Sequence, residues 1–330
     1  YGELRQITAR YNSQVNGYFI CDRGRFGYEA VNSEQRIQHA SIRNHNYPID
    51  HKILLDHISE LLLKNKFIGI GSPRASLESN YALMKLVGKE NFFSGVSEQE
   101  YQLNNIILQL MQSGIAHLPS LKEIEEYDVI LILGEDLTNS APMAALSVRQ
   151  AIRQQPINDA KEHINLPVWH DAALREYIQN RHSALFIVHP YESKLDEIAA
   201  NSFYLTPGEI AALGNAIALE LDNETSETDY HEQASTIASA LLKAQRPLII
   251  AGTSLMNENI LKATGNIALA LSKKDKATGL FLIVQECNSL GLTMMQPGPL
   301  NEAFRRITND EASSIIILEN DLYRRAPSEI

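Results

Sequence analysis

Residues 21–28 read CDRGRFGY and set one of the two cysteines of the chain beside two arginines, two glycines and two aromatics. Arg23 and Arg25 would favour the thiolate of Cys21. Gly24 and Gly27 carry no Cβ, so their backbone amides can approach a bound group closely. A thiolate, nearby cations and converging N–H groups suit an iron–sulfur cluster, whose core carries negative charge and sulfur acceptors. One cysteine does not hold a cluster, so the other ligands would have to precede Tyr1. On spacing alone, a cysteine that merely lines a turn is the better account. Cys287, in VQECNSLGL, follows a strand-like run and reads as a buried free thiol.

Other patterns carry less chemistry. GIGSPR (69–74) resembles a dinucleotide loop, but Arg74 stands where the third glycine belongs and Pro73 lacks an N–H for a pyrophosphate. It reads as an ordinary strand-to-helix turn. GED (134–136) and END (319–321) put carboxylates after strand-like runs, at the edge where open α/β sheets bind ligands. They could hold magnesium, but helix capping accounts for them better. Either loop would repel a phosphate. The ten histidines do not cluster: His51 and His57 lie six apart, off one helix face, and Pro167 separates His163 from His170. H-E-x-x-H, G-x-S-x-G, G-x-x-x-x-G-K-[ST] and C-x-x-C are all absent, so no nucleophile–base pair is recognisable.

The elements that must position these residues follow from composition and pattern. At 330 residues with 44% apolar content, the chain has material for two or three cores. Its 29 basic against 40 acidic side chains give a net charge of −11, which argues against a general nucleic-acid or anionic-membrane binder. No apolar run reaches the ~18–20 residues of a membrane span, and no signal-peptide pattern opens the chain. Two cysteines do not make a disulfide framework, which favours a reducing compartment. Tyr1 is no natural start and Ile330 falls inside an element, so the sequence reads as a piece of a longer polypeptide.

Residues 1–46 are polar and aperiodic, with a short strand expected at Tyr18–Ile20 leading into the cysteine turn. From Asp50 the pattern is α/β. Leu54, Ile58, Leu61 and Leu62 share a helical face. Ser76 is placed to cap a helix with Leu77, Tyr81, Met84 and Val87 on its apolar side. Buried strands are expected at 67–70, 91–96, 129–133, 184–188, 247–251, 280–284 and 314–318. Helices between them, such as Met143–Ile152 and Ala234–Ala244, imply parallel sheets covered on both faces. Residues 222–232 are the most linker-like stretch. DVILILGEDLTNSAP (128–142) aligns without gaps to SSIIILENDLYRRAP (313–327), and FIGIGS (67–72) precedes LIIAGT (248–253) by a similar interval. Two similar lobes are expected.

CDRGRFGY also resembles the turn after the last cluster-binding cysteine of the molybdopterin oxidoreductase superfamily. The resemblance is closer still to the large iron–sulfur subunits of bacterial proton-pumping NADH:quinone oxidoreductases. It rests on residues 1–32, on 68–95 and on 127–152, and PLIIAGT and IIILENDLYRRA extend it along essentially the whole chain. It implies an α/β, molybdopterin-oxidoreductase-like fold, with parallel sheets flanked by helices in two related lobes. A small β-rich iron–sulfur segment, residues 1–46, would precede them. Residues 47–96 and 275–330 would share the first lobe and residues 97–274 would form the second. Cys21 would be the fourth ligand of a [4Fe-4S] cluster in the full-length protein, and these residues alone would carry no cofactor.

The departures from active molybdoenzymes are specific. Arg23 replaces the usual lysine two residues after the cysteine. The segment NFFSGVSEQEYQL lacks a cysteine–histidine pair, and nothing in their context favours Ser94 or Ser97 as metal ligands. Gly134-Glu135-Asp136-Leu137 replaces Gly-x-Asn-Pro. The resemblance therefore implies a retained fold without molybdopterin, set among the other peripheral-arm subunits on the cytoplasmic side of the bacterial inner membrane, with no nucleic acid and no direct membrane insertion. An active molybdopterin-dependent oxidoreductase is the alternative, and a nucleotide-binding regulatory module a third reading.

Overall fold

The computed structural model describes residues 2–42, 49–164, 171–179, 181–224 and 229–326. The apolar runs become strands because β-branched and leucine side chains cover both faces of parallel sheets. Among the described residues these are β1 (Phe67–Ile70), β2 (Phe92–Phe93), β3 (Val129–Leu133), β4 (Ala184–His189), β5 (Asn201–Tyr204), β6 (Pro247–Gly252), β7 (Gly279–Ile283) and β8 (Ser314–Ile317). Every pairing between them is parallel. The sheets run β2-β1-β8 and β5-β4-β3-β6-β7. Helices flank both, consistent with the molybdopterin-oxidoreductase-like fold expected from the sequence.

The chain divides into two compact units. The first comprises Tyr1–Ala9, Ile20–Tyr101 and Glu286–Ile330, and the second Arg10–Phe19 and Gln102–Gln285. In the second, β3 is buried along its whole length and pairs with β4 from Val129↔Ala184 and with β6 from Val129↔Pro247. The chain runs outward from β3 to β4 to β5, then crosses back to β6 and β7. The order of travel therefore reverses between β3 and β6, the position at which such sheets open a ligand crevice. In the first unit β1 pairs with β2 on one side and with β8 on the other, from Phe67↔Ser314 to Ile70↔Ile317. The reversal there lies between β1 and β8.

One helix of the second unit, Pro142–Ile164, continues well past the expected Ile152 and contains Pro156. A proline inside a helix has no N–H for the carbonyl four residues back. That carbonyl, on Ile152, accepts from the backbone N–H of Ser183 at 2.7 Å, one residue before β4. The helix thus tolerates its proline by lending the freed acceptor to the strand that follows.

Several expectations are corrected. The strand expected at Tyr18–Ile20 does not form, and the described part of residues 1–46 is not β-rich. It has an isolated bridge, Asn12↔Gly17, and two short helices, Asp22–Phe26 and Glu29–Asn32. Tyr18 and Phe19 are 73% and 61% exposed, so no apolar partner holds them in a sheet. Residues 279–283, read with the first lobe, pair with β6 in the larger sheet. β5 was not anticipated. The helix His51–Lys64 forms, but its apolar side is largely exposed. Residues 43–48, and parts of the 222–232 stretch and of the His163–His170 region, lie outside the described residues.

Candidate functional site

Cys21 caps the helix Asp22–Phe26. Its extended backbone (φ −70°, ψ 161°) turns Sγ over the first helical turn, where it accepts from the Gly24 N–H at 3.4 Å. The helix closes through Arg25 N–H to the Cys21 carbonyl and Gly27 N–H to the Arg23 carbonyl, both 2.9 Å. The cysteine is half-buried, so its sulfur is fixed by one amide while still open to a further partner. Among the described residues, no group of three or more His, Cys, Asp and Glu side chains is arranged to hold a metal ion. Cys287 is exposed rather than buried. Its sulfur lies 3.7 Å from the Pro73 carbonyl and 3.9 Å from that of Arg74, on the loop after β1.

At both reversal points a side chain of the protein ties the strand ends together. After β3, Gly134 takes φ +72° and the next side chain, Glu135, turns inward. Glu135 is 2% exposed and accepts from Ser254 N–H at 2.9 Å and Ser254 Oγ at 2.6 Å, on the loop after β6. A Cβ on Gly252 would collide with Glu135 Oε1, so glycine is required for this approach. Burial pushes the Glu135 carboxyl above its ordinary 4.5, against hydrogen bonds from Ser254 and Ser140 and the nearby His189 that act in the opposite direction. Asp136 caps the short helix after it, accepting from the N–H and Oγ1 of Thr138 and from Asn139 Nδ2.

The first unit repeats the device at the aligned positions. After β8, Glu319 takes φ +40°, and the next residue, Asn320, donates through Nδ2 to the carbonyls of Gly71 (2.9 Å) and Gly95 (2.7 Å). Ser72 Oγ donates to the Glu319 carbonyl at 2.9 Å, and Asp321 caps the next turn through Tyr323 N–H. Glu135 and Asn320 occupy the same column of the gapless repeat. They are different chemistry in the same place: a residue after a left-handed turn that reaches back to seal the strand ends. The capping account of GED and END holds, whereas Glu135 does not face a ligand as a repelling charge.

Beside Asn320 lies a cavity of about 250 Å³ whose lining includes Arg74, Arg324, Arg325, Glu286, Glu319 and Asp321. Arg325 bridges Glu100 Oε2 at 2.8 Å and Glu286 Oε1 at 2.9 Å, and Arg74 Nε reaches the same Glu286 oxygen at 3.0 Å. Glu100 is 2% exposed and its Oε1 has no hydrogen-bond partner among the described residues. Burial raises its carboxyl above 4.5, Arg325 draws it down, and Glu286 adds to the rise. Opposite charges thus largely compensate one another within this edge. Ser94 is buried with Oγ unpartnered among the described residues, and Ser97 Oγ accepts from Glu100 N–H at 3.2 Å.

The sequence brings Cys21, Gly24 and the acidic loops into view, but not Ser254 or the Arg325 network. Asn320 was legible through the repeat. Arg325 and Glu100 lie 225 residues apart, with no local pattern to join them.

No protein-family model matches the chain. It is 41% identical to the G subunit of NADH-quinone oxidoreductase from Pseudomonas fluorescens, over 98% of this chain and 36% of that protein. Identity to the corresponding G subunits of Escherichia coli K12 and Buchnera aphidicola is 38% and 36%, over 99% and 100% of this chain. The chain spans about 37% of the length of these curated relatives and matches a fragment of that protein. In three dimensions it is similar to a chain of the formyltransferase/hydrolase complex (FhcABCD) from Methylorubrum extorquens, crystallised with methylofuran. The TM-score is 0.50 at 14% identity, over 83% of this chain and 74% of that one, a likeness of fold alone.

Proposed function

We propose that this chain, homologous along its whole length to a segment of the NADH-quinone oxidoreductase G subunit, forms the scaffold of that protein and completes one iron–sulfur site. The match itself carries the reading: 36–41% identity over 98–100% of the chain. The whole complex would pass electrons from NADH to quinone, with this segment packed among other peripheral-arm subunits on the cytoplasmic side of the bacterial inner membrane. Among the described residues no helix is long and apolar enough to cross a membrane, in keeping with a peripheral place.

Within the segment, Cys21 is proposed as the fourth ligand of a [4Fe-4S] cluster whose other three ligands lie outside these residues. Such a cluster, when bound, is a one-electron carrier. The local geometry supports the assignment. The sulfur is half-exposed at the head of a turn, Gly24 N–H already donates to it, and Arg23 and Arg25 bring positive charge to the same turn. A thiolate there would bind iron while keeping one amide hydrogen bond, an arrangement that steadies thiolate sulfur.

The superfamily's pterin dinucleotide does not fit the residues present. At each reversal point a side chain of this chain ties the strand ends, Glu135 to Ser254 and Asn320 to Gly71 and Gly95, and the cavity beside Asn320 sets Glu286, Glu319 and Asp321 against its arginines. The proposed scaffold is therefore free of molybdopterin. The test of the cluster assignment is the iron content of the full-length protein with and without Cys21→Ala. A loss of about four irons per polypeptide with an unchanged far-ultraviolet circular dichroism spectrum is expected. An unchanged iron count sinks the ligand assignment.

A further inference from the structure

Apart from the stretch Arg10–Phe19, the chain leaves the first unit once, between Tyr101 and Gln102, and returns to it once, between Gln285 and Glu286. Glu100 stands one residue before the departure, in the first turn of the helix Glu98–Ser113, and Glu286 is the residue of return. Both carboxylates meet one side chain of the same unit. Arg325 donates from Nη1 to Glu100 Oε2 at 2.8 Å and from Nη2 to Glu286 Oε1 at 2.9 Å. The turn after β8 presents it: the Arg325 N–H bonds the Leu322 carbonyl at 3.0 Å, and Asp321 caps that turn. The contact is withdrawn from water, with the Arg325 side chain 15% and the Glu100 side chain 2% exposed. Salt screens such a pair little, and a guanidinium fork can take two carboxylates at once. Arg305 also bridges two carboxylates, Glu302 and Glu311, but at the surface and no more than six residues away in the chain.

We infer that Arg325 is a clasp: one guanidinium holds together the residue where the chain leaves the first unit and the residue where it returns, so that residues 102–285 are tethered at both ends by a side chain outside them. An inserted unit needs its two ends close together, and this contact fixes them. The internal repeat supports the assignment. Arg325 shares a column of the gapless alignment with Ser140. Ser140 reaches no further than Asp136 and Glu135, in its own loop. Arg325 spans 225 residues to Glu100 and 39 to Glu286. The same turn thus carries a long bridging side chain in the unit that gives out and takes back the chain, and a short one in the other. The clasp stands independently of the cluster reading of Cys21.

Two amides report on the passages. The Tyr101 N–H bonds the Ser97 carbonyl, and the Asn288 N–H the Pro73 carbonyl, both at 2.9 Å. In the full-length protein, Arg325→Met should speed hydrogen exchange at both by at least about tenfold and leave β1 and β8 unchanged. Loss of the guanidinium strands the buried Glu100 carboxylate, which can itself prevent folding. In that event the double variant Glu100→Gln with Arg325→Met carries the test by the same criterion, since it leaves no unpaired buried charge. Glu286 and its contact with Arg74 are intact in that protein, so faster exchange at Asn288 reports the lost clasp and not a local change. Acceleration at neither amide, or at one alone, overturns the inference, because the two passages are then not joined through Arg325. Equal acceleration throughout β1 and β8 overturns it as well, because Arg325 then stabilises the first unit as a whole.

Discussion

Glu135 is the residue whose role the sequence and the structure describe most differently. From the sequence it is a surface charge at a sheet edge. In the structure it is buried under Ser254, and burial holds its carboxyl above the ordinary 4.5. The native state therefore binds this proton more tightly than the unfolded chain. The associated stability is present in acid and is lost as pH rises from about 4.5 through the raised value. Glu135→Gln keeps the neutral form at every pH, so its stability relative to the parent should grow between pH 5 and pH 8, read as urea midpoints. Parallel pH profiles for the two proteins would contradict this account. No pattern rule distinguishes a carboxylate that points out from one that folds in. The aligned glycine before it and the serine after β6 decide the matter through space. Cys21 was legible for the opposite reason: its partners, Gly24 and the arginines, are its neighbours in sequence.

At the scale of elements, the strands are legible wherever they fall on apolar runs: β1, β3, β4, β6 and the half-exposed β8 all do, and β3 and β6 are buried along their whole length. β5 was missed because it is an edge strand whose residues, Asn-Ser-Phe-Tyr, are half or fully exposed and carry no apolar run. The strand expected before Cys21 failed for lack of a sheet to join. GED and END mark the loops at both reversal points, but what each loop ties is not legible, since the partners are distant in the chain. Asn320 is the tie in the first unit. Asn320→Ala leaves the Gly71 and Gly95 carbonyls without this donor and should cost about 1–3 kcal/mol. Hydrogen exchange should then rise in β1 and β2 and stay unchanged in β3 and β6. Equal acceleration in both sheets would mean that the tie is not local. Gly95→Ala should be at least as damaging, because its Cβ would meet both Asn320 Nδ2 and the Gly71 carbonyl.

For the whole molecule, the net charge of −11 and the buried Glu135 at the second unit's reversal point agree in direction: neither invites a polyphosphate ligand. The full-length protein, made in cells able to synthesise molybdopterin, should contain neither molybdenum nor tungsten, and no fluorescent pterin should be released on oxidation. Stoichiometric metal with pterin would restore the active-enzyme alternative. The first unit also has a consequence in time. Ile68 pairs with Ile315, so β1 waits for a partner that the ribosome delivers 247 residues later (315 − 68). At 5–20 residues per second that interval is roughly 12–50 s. Meanwhile every strand of the five-stranded sheet emerges and can assemble, while β1 holds an unpaired edge. Stalled nascent chains ending near residue 300 should therefore resist protease across β3 to β7 and be cut around β1, and release past β8 should remove that cleavage. A cell that makes this protein has to shelter one short edge for roughly 12–50 s.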